Sequence, residues 1–321
     1  MIRAPLVVTV TPNPSVDWTL EIPTLVRGAV HRITGQHQEP SGKGVNVTRA
    51  LTSNEVASLA VLFIGGPEGA ELELLLQAEH IAYATVRIHD SVRVNISLTE
   101  PDGTATKINA IGPALRDSEA EDLLSAAVAA GDGADWVLGS GSLPRGMSVD
   151  FYARLGKAIH DNAGRFALDS SGPALVAGLS ARPDVIKPNA DELSEAVGRP
   201  VATLGDAVVA ARELMTLGAQ TVVVSLGADG ALLVDGVGVL HAAASVESPK
   251  STVGAGDALL AGYLAGTLSD AGDRAAALRE AVAWGSAAVR VEGSRVPVIA
   301  ESDRAAVVLD SDPDPRRPLS G

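Results

Sequence analysis

The sequence predicts an α/β fold: a mostly parallel sheet covered by helices on both faces, with a small antiparallel sheet set apart from it. Three observations carry this reading. Short β-type runs recur along the 321 residues, and most are too apolar to alternate. Between them lie segments with apolar positions three and four apart, the βα rhythm that places helices over a parallel sheet. Hydrophobic residues make up 46% of the chain and aromatics 3%, so Ala, Val, Leu and Ile must build the interior.

In chain order, strands are expected at 6–10 (LVVTV), 60–64 (AVLFI), 135–139 (DWVLG), 166–170 (FALDS), 184–187 (DVIK), 221–226 (TVVVSL) and 231–235 (ALLVD). Helices are expected at PEGAELELLLQAEH, SEAEDLLSAAVAAG, VDFYARLGKAIHDN and LGDAVVAARELMTLG. Residues 13–40 and 91–110 break the rhythm by alternating, the second stretch around the turn signal Asp102-Gly103. They read as a projecting antiparallel sheet, a lid whose outward face can pair with another subunit. One domain is expected over 1–309. The tail at 310–321, rich in Pro and charge, is expected to be disordered.

Composition excludes several classes. Twenty-five Lys and Arg against 39 Asp and Glu give a formal charge of -14, which argues against nucleic acid and anionic membranes as partners. The absence of cysteine removes disulfides, thiolate metal sites and Cys nucleophiles. The opening MIRAPLVVTVTPNPS has too short an apolar run for a secretory leader, and no run approaches the roughly 20 residues of a membrane span. A cytoplasmic protein is expected. The six histidines show no metal-binding spacing.

Chemistry concentrates in a few stretches. In KSTVGAGDALLAGYLAG, Gly254, Ala255 and Gly256 precede Asp257 at the head of a helix, where backbone N–H groups and the helix dipole favour an anion. Asp257 alone also reads as an acid placed to suit that dipole. The sharper reading is a general base beside a phosphoryl-holding loop, and spacing does not decide between them. It is neither a Walker A loop nor a dinucleotide fingerprint, since no GxxxxGK[ST] occurs and Leu259 takes the last glycine position. In KPNADEL, Asn189 and Glu192 stand three apart in a first helical turn, as a cap or as partners facing one site. PSGKGVNVTRA sets Lys43 between glycines, a flexible turn or a ligand loop, with Asn46 one helical turn on. TPNPSVDW puts Asp17 near the carboxyl end of the first strand, as a turn former or where α/β sheets bind ligands.

Taken together, VGAGDALLAG, KPNADEL, TPNPSVD, SGKGVNV, GSGSLPRG, DSSGPAL and VVVSLGADGALL resemble the PfkB, or ribokinase-like, carbohydrate kinase family from about Val8 to Arg295. They are most similar to its phosphosugar branch of 1-phosphofructokinases, tagatose-6-phosphate kinases and minor-type 6-phosphofructokinases. The resemblance implies a three-layer αβα sandwich with a β-sheet lid, often the homodimer contact in that family. It implies Asp257 as the catalytic base and Gly254, Ala255 and Gly256 as the anion hole. It further implies Asn189 and Glu192 as organisers of Mg²⁺ through water, and Lys187, Ser225, Gly227, Gly230 and Ser286 as nucleotide contacts for ATP. Ser251, Val253, Ala288 and Gly293 match the region where many relatives hold a monovalent cation such as K⁺. Asp17, Gly42, Lys43, Asn46, Arg93 and Ser142 would bind a phosphosugar, Arg93 by pairing with its phosphate. The implied reaction moves the γ-phosphoryl of ATP to a ketohexose phosphate, with fructose 1-phosphate leading and tagatose 6-phosphate or fructose 6-phosphate as alternatives. A sugar-phosphate-binding regulator without turnover is the alternative from another class. One departure stands out: the turn reads Ser41-Gly42-Lys43-Gly44, where the family usually has two glycines before the lysine or a third glycine instead.

Overall fold

The computed structural model describes residues 6–269 and 272–320. The start of the opening segment (1–5), residues 270–271 and the last residue of the tail lie outside them. The first part of the chain gives β1 (Val7–Thr11), β2 (Ser15–Glu21), β3 (Gly35–Ser41), α1 (Lys43–Ser53), β4 (Ser58–Ile64), α2 (Gly66–Ala78) and β5 (Tyr83–Arg87). Then come β6 (Arg93–Thr99), β7 (Ala105–Ile108), α3 (Asp117–Gly131), β8 (Trp136–Ser140), α4 (Phe151–Asp161), β9 (Phe166–Asp169) and α5 (Gly172–Gly178). The last part holds β10 (Val185–Ile186), α6 (Ala190–Val197), α7 (Leu204–Leu217), β11 (Val222–Ser225), β12 (Ala231–Val234) and β13 (Val239–Ala243). It ends with α8 (Ala255–Ser269), α9 (Arg274–Ala288), α10 (Glu301–Ala305) and β14 (Val308–Asp310).

The large sheet has 10 strands in the order β14-β13-β12-β11-β10-β9-β8-β1-β4-β5. It is parallel from β5 across to β11 and antiparallel from β11 to β14. Successive side chains of a strand point to opposite faces, and the core divides accordingly. Val8 and Val10 join Phe63, Leu123, Tyr152, Leu155, Leu193 and Leu214, under α3, α4, α6 and α7. Val7 joins Leu51, Leu138, Leu260, Leu264 and Trp284, under α1, α8 and α9. This is the three-layer sandwich expected from the βα rhythm. No helix among the described residues is long and apolar enough to cross a membrane.

The second sheet has 4 strands in the order β3-β2-β6-β7. Each hairpin is antiparallel, and the two are joined by the parallel pair β2/β6. The turn at Asp102-Gly103 closes the second hairpin, with Gly103 at φ +89° and the Thr104 amide donating to Asp102. The register Ser15↔Arg93 and Asp17↔Asn95 brings the polar residues of both lid segments side by side.

The tail departs from expectation. Residues 310–320 are fixed rather than disordered: β14 extends the sheet edge on β13, the Leu319 amide donates to Ala202 O, and Arg317 and Ser320 bind the carboxylate of Asp229. A composition poor in apolar residues does not forbid order when specific polar groups elsewhere satisfy the segment.

Candidate active site

Carboxyl ends of β1, β8, β9 and β10 meet α1, α6 and α8 at the place where the strand order reverses, the usual crevice for ligands in such sheets. Asp257 sits in the first turn of α8, buried. Gly254, at φ +73°, bends the backbone into that helix, and a Cβ there would come within 3.0 Å of the Ser294 side chain, so only glycine fits without displacement. The Ala255 amide reaches only the Thr252 carbonyl, at 3.4 Å. First-turn amides have no carbonyl ahead of them in the helix, which leaves an electropositive rim beside Asp257.

Around this carboxylate the chain gathers residues far apart in sequence. Asn46 Nδ2 donates to Asp257 Oδ2 at 2.8 Å. Lys43 Nζ donates to Asp169 Oδ1 at 2.9 Å and to Glu192 Oε1 at 3.0 Å. Lys187 Nζ lies 3.5 Å from Asp169 Oδ1, and a Cβ on Gly256 would approach it to 3.4 Å. Lys43 can begin α1 here because Gly42, at φ +125°, packs so tightly on Thr11 and Pro14 that a Cβ would meet Thr11 Cγ2 at 2.7 Å.

The charges shift one another. Burial, aided by the like charge of Asp169, pushes the Asp257 carboxyl up to about 6, against the pull of Lys43, the Asn46 hydrogen bond and Lys187. Burial also opposes ionisation of Asp169, but Lys187 and Lys43 outweigh it and hold that group below the usual carboxylate range. For Lys43, burial disfavours the charge and Asp169, Glu192 and Asp257 more than restore it, so its pKa rises. Two neighbouring carboxyls thus acquire opposite tendencies: one stays ionised, and the other can exchange a proton near neutrality.

Asn189 and Glu192 form a capping box on α6. The Glu192 amide donates to Asn189 Oδ1 at 2.7 Å, and the Asn189 amide donates to Glu192 Oε2 at 3.0 Å. The cap and a site-facing role coexist, since Glu192 Oε1 reaches Lys43 from the same turn. A backbone bridge pairs Asn189 with Ser225, bringing Gly227 and Gly230, both at positive φ, beside the Lys187–Asn189 segment. Ser286 is half-buried on α9, and its neighbour Gly285 lies so near the start of α8 that a Cβ would sit 3.4 Å from the Ala255 carbonyl. Ser251 and Val253 precede α8. The Ser251 amide donates to Val289 O, next to Ala288, at 3.3 Å, while Gly293 lies against the Glu39 carboxylate.

On the lid side, Asp17 Oδ1 accepts from Ser15 Oγ at 2.7 Å and Asn95 Nδ2 at 2.9 Å. Arg93 Nη2 donates to Asn13 O at 3.0 Å, Nη1 donates to Ala110 O at 3.2 Å, and Nε is buried without a partner. Asn13 Nδ2 donates to Ser142 Oγ at 3.0 Å. Thr11 Oγ1, Asn13 Oδ1, Ser140 Oγ and Asp169 Oδ2 are likewise buried and unpartnered. Buried polar atoms are nearly always satisfied, so a cluster of orphans at the carboxyl edge marks a place built for a polar ligand. Asn189 and Glu192 offer oxygen donors, the type a hard divalent cation takes, while the Lys43 ammonium bridges Glu192 to Asp169.

Sequence reasoning missed Asp169, Asn13 and Asn95. Asp169 carried a signal: FALD ends an apolar strand in an acid at the sheet's carboxyl edge, the argument already applied to Asp17. Asn46, a sugar contact by the resemblance, is bonded here to Asp257 through its Nδ2.

The chain matches the profile of the pfkB family carbohydrate kinase over residues 13–301. It is 40% identical to a 1-phosphofructokinase of Haloferax volcanii over 91% of this chain and 93% of that one. It is 34% identical to a 1-phosphofructokinase of Bacillus subtilis over 81% and 85%. Among solved structures, phosphofructokinase-2 from Escherichia coli in complex with potassium superposes with a TM-score of 0.87 at 31% identity, over 95% of this chain and 97% of that one.

Proposed function

This chain belongs to the pfkB family of carbohydrate kinases, phosphotransferases that use ATP and a divalent metal, and from that premise we propose that its acceptor is a ketohexose phosphate. Fructose 1-phosphate is the leading substrate, giving fructose 1,6-bisphosphate, as the names of the similar 1-phosphofructokinases suggest. The observation that carries the reading is the pairing at one helix N-terminus of a buried carboxyl raised to about 6 with an amide rim fit for a phosphoryl group. A pure binder has no use for that pairing.

In this reading Asp257 accepts the proton of the attacking hydroxyl, with Asn46 holding its Oδ2 and leaving Oδ1 for the transfer. Amides of Gly254, Ala255 and Gly256 take up charge on the phosphoryl oxygens, and Lys187 lies beside them. Asn189 and Glu192 would hold Mg²⁺ through water, the metal neutralising phosphate charge. Asp17 receives sugar hydroxyls, as Ser142, Gly42 and Lys43 do from the other side. Arg93 meets the phosphate already on the sugar with its unpaired Nε. The lid excludes water during transfer. Its exposed Ile108 and Ile111 support a homodimer through that sheet. The grouping of Ser251, Val253, Ala288 and Gly293 around the head of α8 supports a K⁺ site, and a dependence on ATP fits a cytoplasmic setting.

A coupled assay of ADP release across fructose 1-phosphate, fructose 6-phosphate, tagatose 6-phosphate and fructose tests the assignment. The expected kcat/KM is highest for fructose 1-phosphate and lowest for fructose. Preference for another phosphate moves the substrate but keeps the reaction; binding without ADP release sinks the kinase reading in favour of a regulator.

A further inference from the structure

Arg49 lies in α1 one turn after Asn46, and its guanidinium is buried, yet no role above uses it. Nη1 donates to Asn46 Oδ1 at 3.0 Å and to Ser294 Oγ at 2.7 Å. Nε donates to Glu79 Oε2 at 2.5 Å, and Nη2 donates to the carbonyl of Pro40 in β3. Ser294 Oγ passes the chain on, donating to Glu39 Oε1, also in β3, at 3.0 Å.

An Asn side chain has one accepting end and one donating end. Arg49 offers only donors, so it claims the oxygen of Asn46 and leaves the NH₂ end for Asp257. We propose that Arg49 is a positioning residue that fixes the Asn46 amide, and through it the Asp257 carboxylate, in the orientation for proton transfer, and that it ties this orientation to lid strand β3. The inference rests on reading Asp257 as the base.

Without Arg49 only the ionised Asp257 itself favours this direction of the amide, and a protonated Asp257 tolerates the reverse. If Asn46 turns its oxygen toward Asp257, the protonated acid becomes the better partner and the ionised base the worse one. The other charged groups facing Asp257 are Asp169 from β9, Lys43 from α1 and Lys187 after β10, and they are unchanged by substitutions at Arg49. The effect is therefore expected in proton transfer and its pH dependence, not in ligand affinity.

The test is kcat against pH at saturating substrates, with both KM values, for Arg49→Met, Arg49→Lys, Glu79→Gln and Asp257→Asn, normalised to folded protein. Arg49→Met is expected to move the acid limb of kcat up by about one pH unit, with about fivefold lower kcat at pH 6, approaching about tenfold at pH 5, and both KM values within about twofold. Arg49→Lys, which retains a charged donor, should recover part of the loss. Glu79→Gln loosens Arg49 from its partly exposed end and should move the limb the same way by less. A parental acid limb in Arg49→Met, or a change in KM alone, overturns the proposal. If neither Arg49 variant folds, a parental limb in Glu79→Gln overturns it. Asp257→Asn separates the two readings. Full turnover there removes the base itself, whereas lost turnover there together with a parental limb in Arg49→Met removes only the role of Arg49.

Discussion

Asp257 carries a charge that the fold resists and that the proposed chemistry uses. Its carboxyl rises from 3.8 to about 6, chiefly through burial, which corresponds to roughly 3 kcal/mol against the ionised form at about 1.4 kcal/mol per unit. The folded state thus binds this proton more tightly than the unfolded chain. The group favours folding in acid, and that contribution disappears as pH rises through about 6. Asp257→Asn should therefore be more stable than the parent at pH 8, by up to about 3 kcal/mol in urea unfolding, with the gap closing toward pH 4. Turnover should fall by about 10²-fold or more, and the parent's kcat/KM should fall about tenfold per pH unit below about 6, where the base is protonated. Equal stability at pH 8 would mean that the carboxylate is not held against its preference. Asp257 was legible because its glycine approach and its acid are adjacent in sequence. Asp169 was not, since its partners Lys43 and Lys187 come from other segments, one of them 126 positions away.

At the scale of elements, α6 shows why the two readings of KPNADEL were never exclusive. One turn caps the helix through backbone amides and presents a carboxylate oxygen to Lys43. Asn189→Ala should cost about 1 kcal/mol in denaturant unfolding through the lost cap, while Asn189→Asp restores most of it. If both unfold like the parent, the cap contributes nothing to stability. The lid makes a second case. Its strands were visible as alternation, but alternation does not say which strand pairs with which, and the parallel β2/β6 register is what sets Arg93 beside Asn13. Since hydrogen bonds to charged groups contribute about 1.5–3 kcal/mol, Arg93→Gln should raise KM for the phosphosugar about tenfold or more while leaving KM for ATP near the parent value. An equal rise in both would assign Arg93 to holding the lid rather than the phosphate.

Across the whole molecule, the tail reaches from the far edge of the sheet to the loop between Gly227 and Gly230. Composition marked it as disordered because order there comes from a few polar contacts made at long range, and no local pattern records them. Asp229 is the anchor. Its carboxylate accepts from Arg317 Nη2, the Ser320 amide and Ser320 Oγ, and its carbonyl lies 2.7 Å from His241 Nε2. Leu204 and Gly205, at the start of α7, donate to the carbonyls of Arg317 and Pro315. The tail therefore braces the loop of Gly227 and Gly230, the nucleotide contacts that the family resemblance implies, and among the described residues its hydrogen bonds reach none of the residues proposed to hold the sugar. Removing residues 311–321 should raise KM for ATP several-fold and leave KM for the phosphosugar unchanged. The loss of partly exposed polar contacts, about 0.2–1 kcal/mol each, should lower the melting temperature by only a few degrees. Hydrogen exchange at residues 226–230 should rise in the truncated protein, because local opening follows the loss of local contacts. Unchanged exchange with an unchanged KM for ATP would make the tail a covering of the sheet edge with no part in nucleotide binding; a matching rise in both KM values would point instead to a general loosening of the domain.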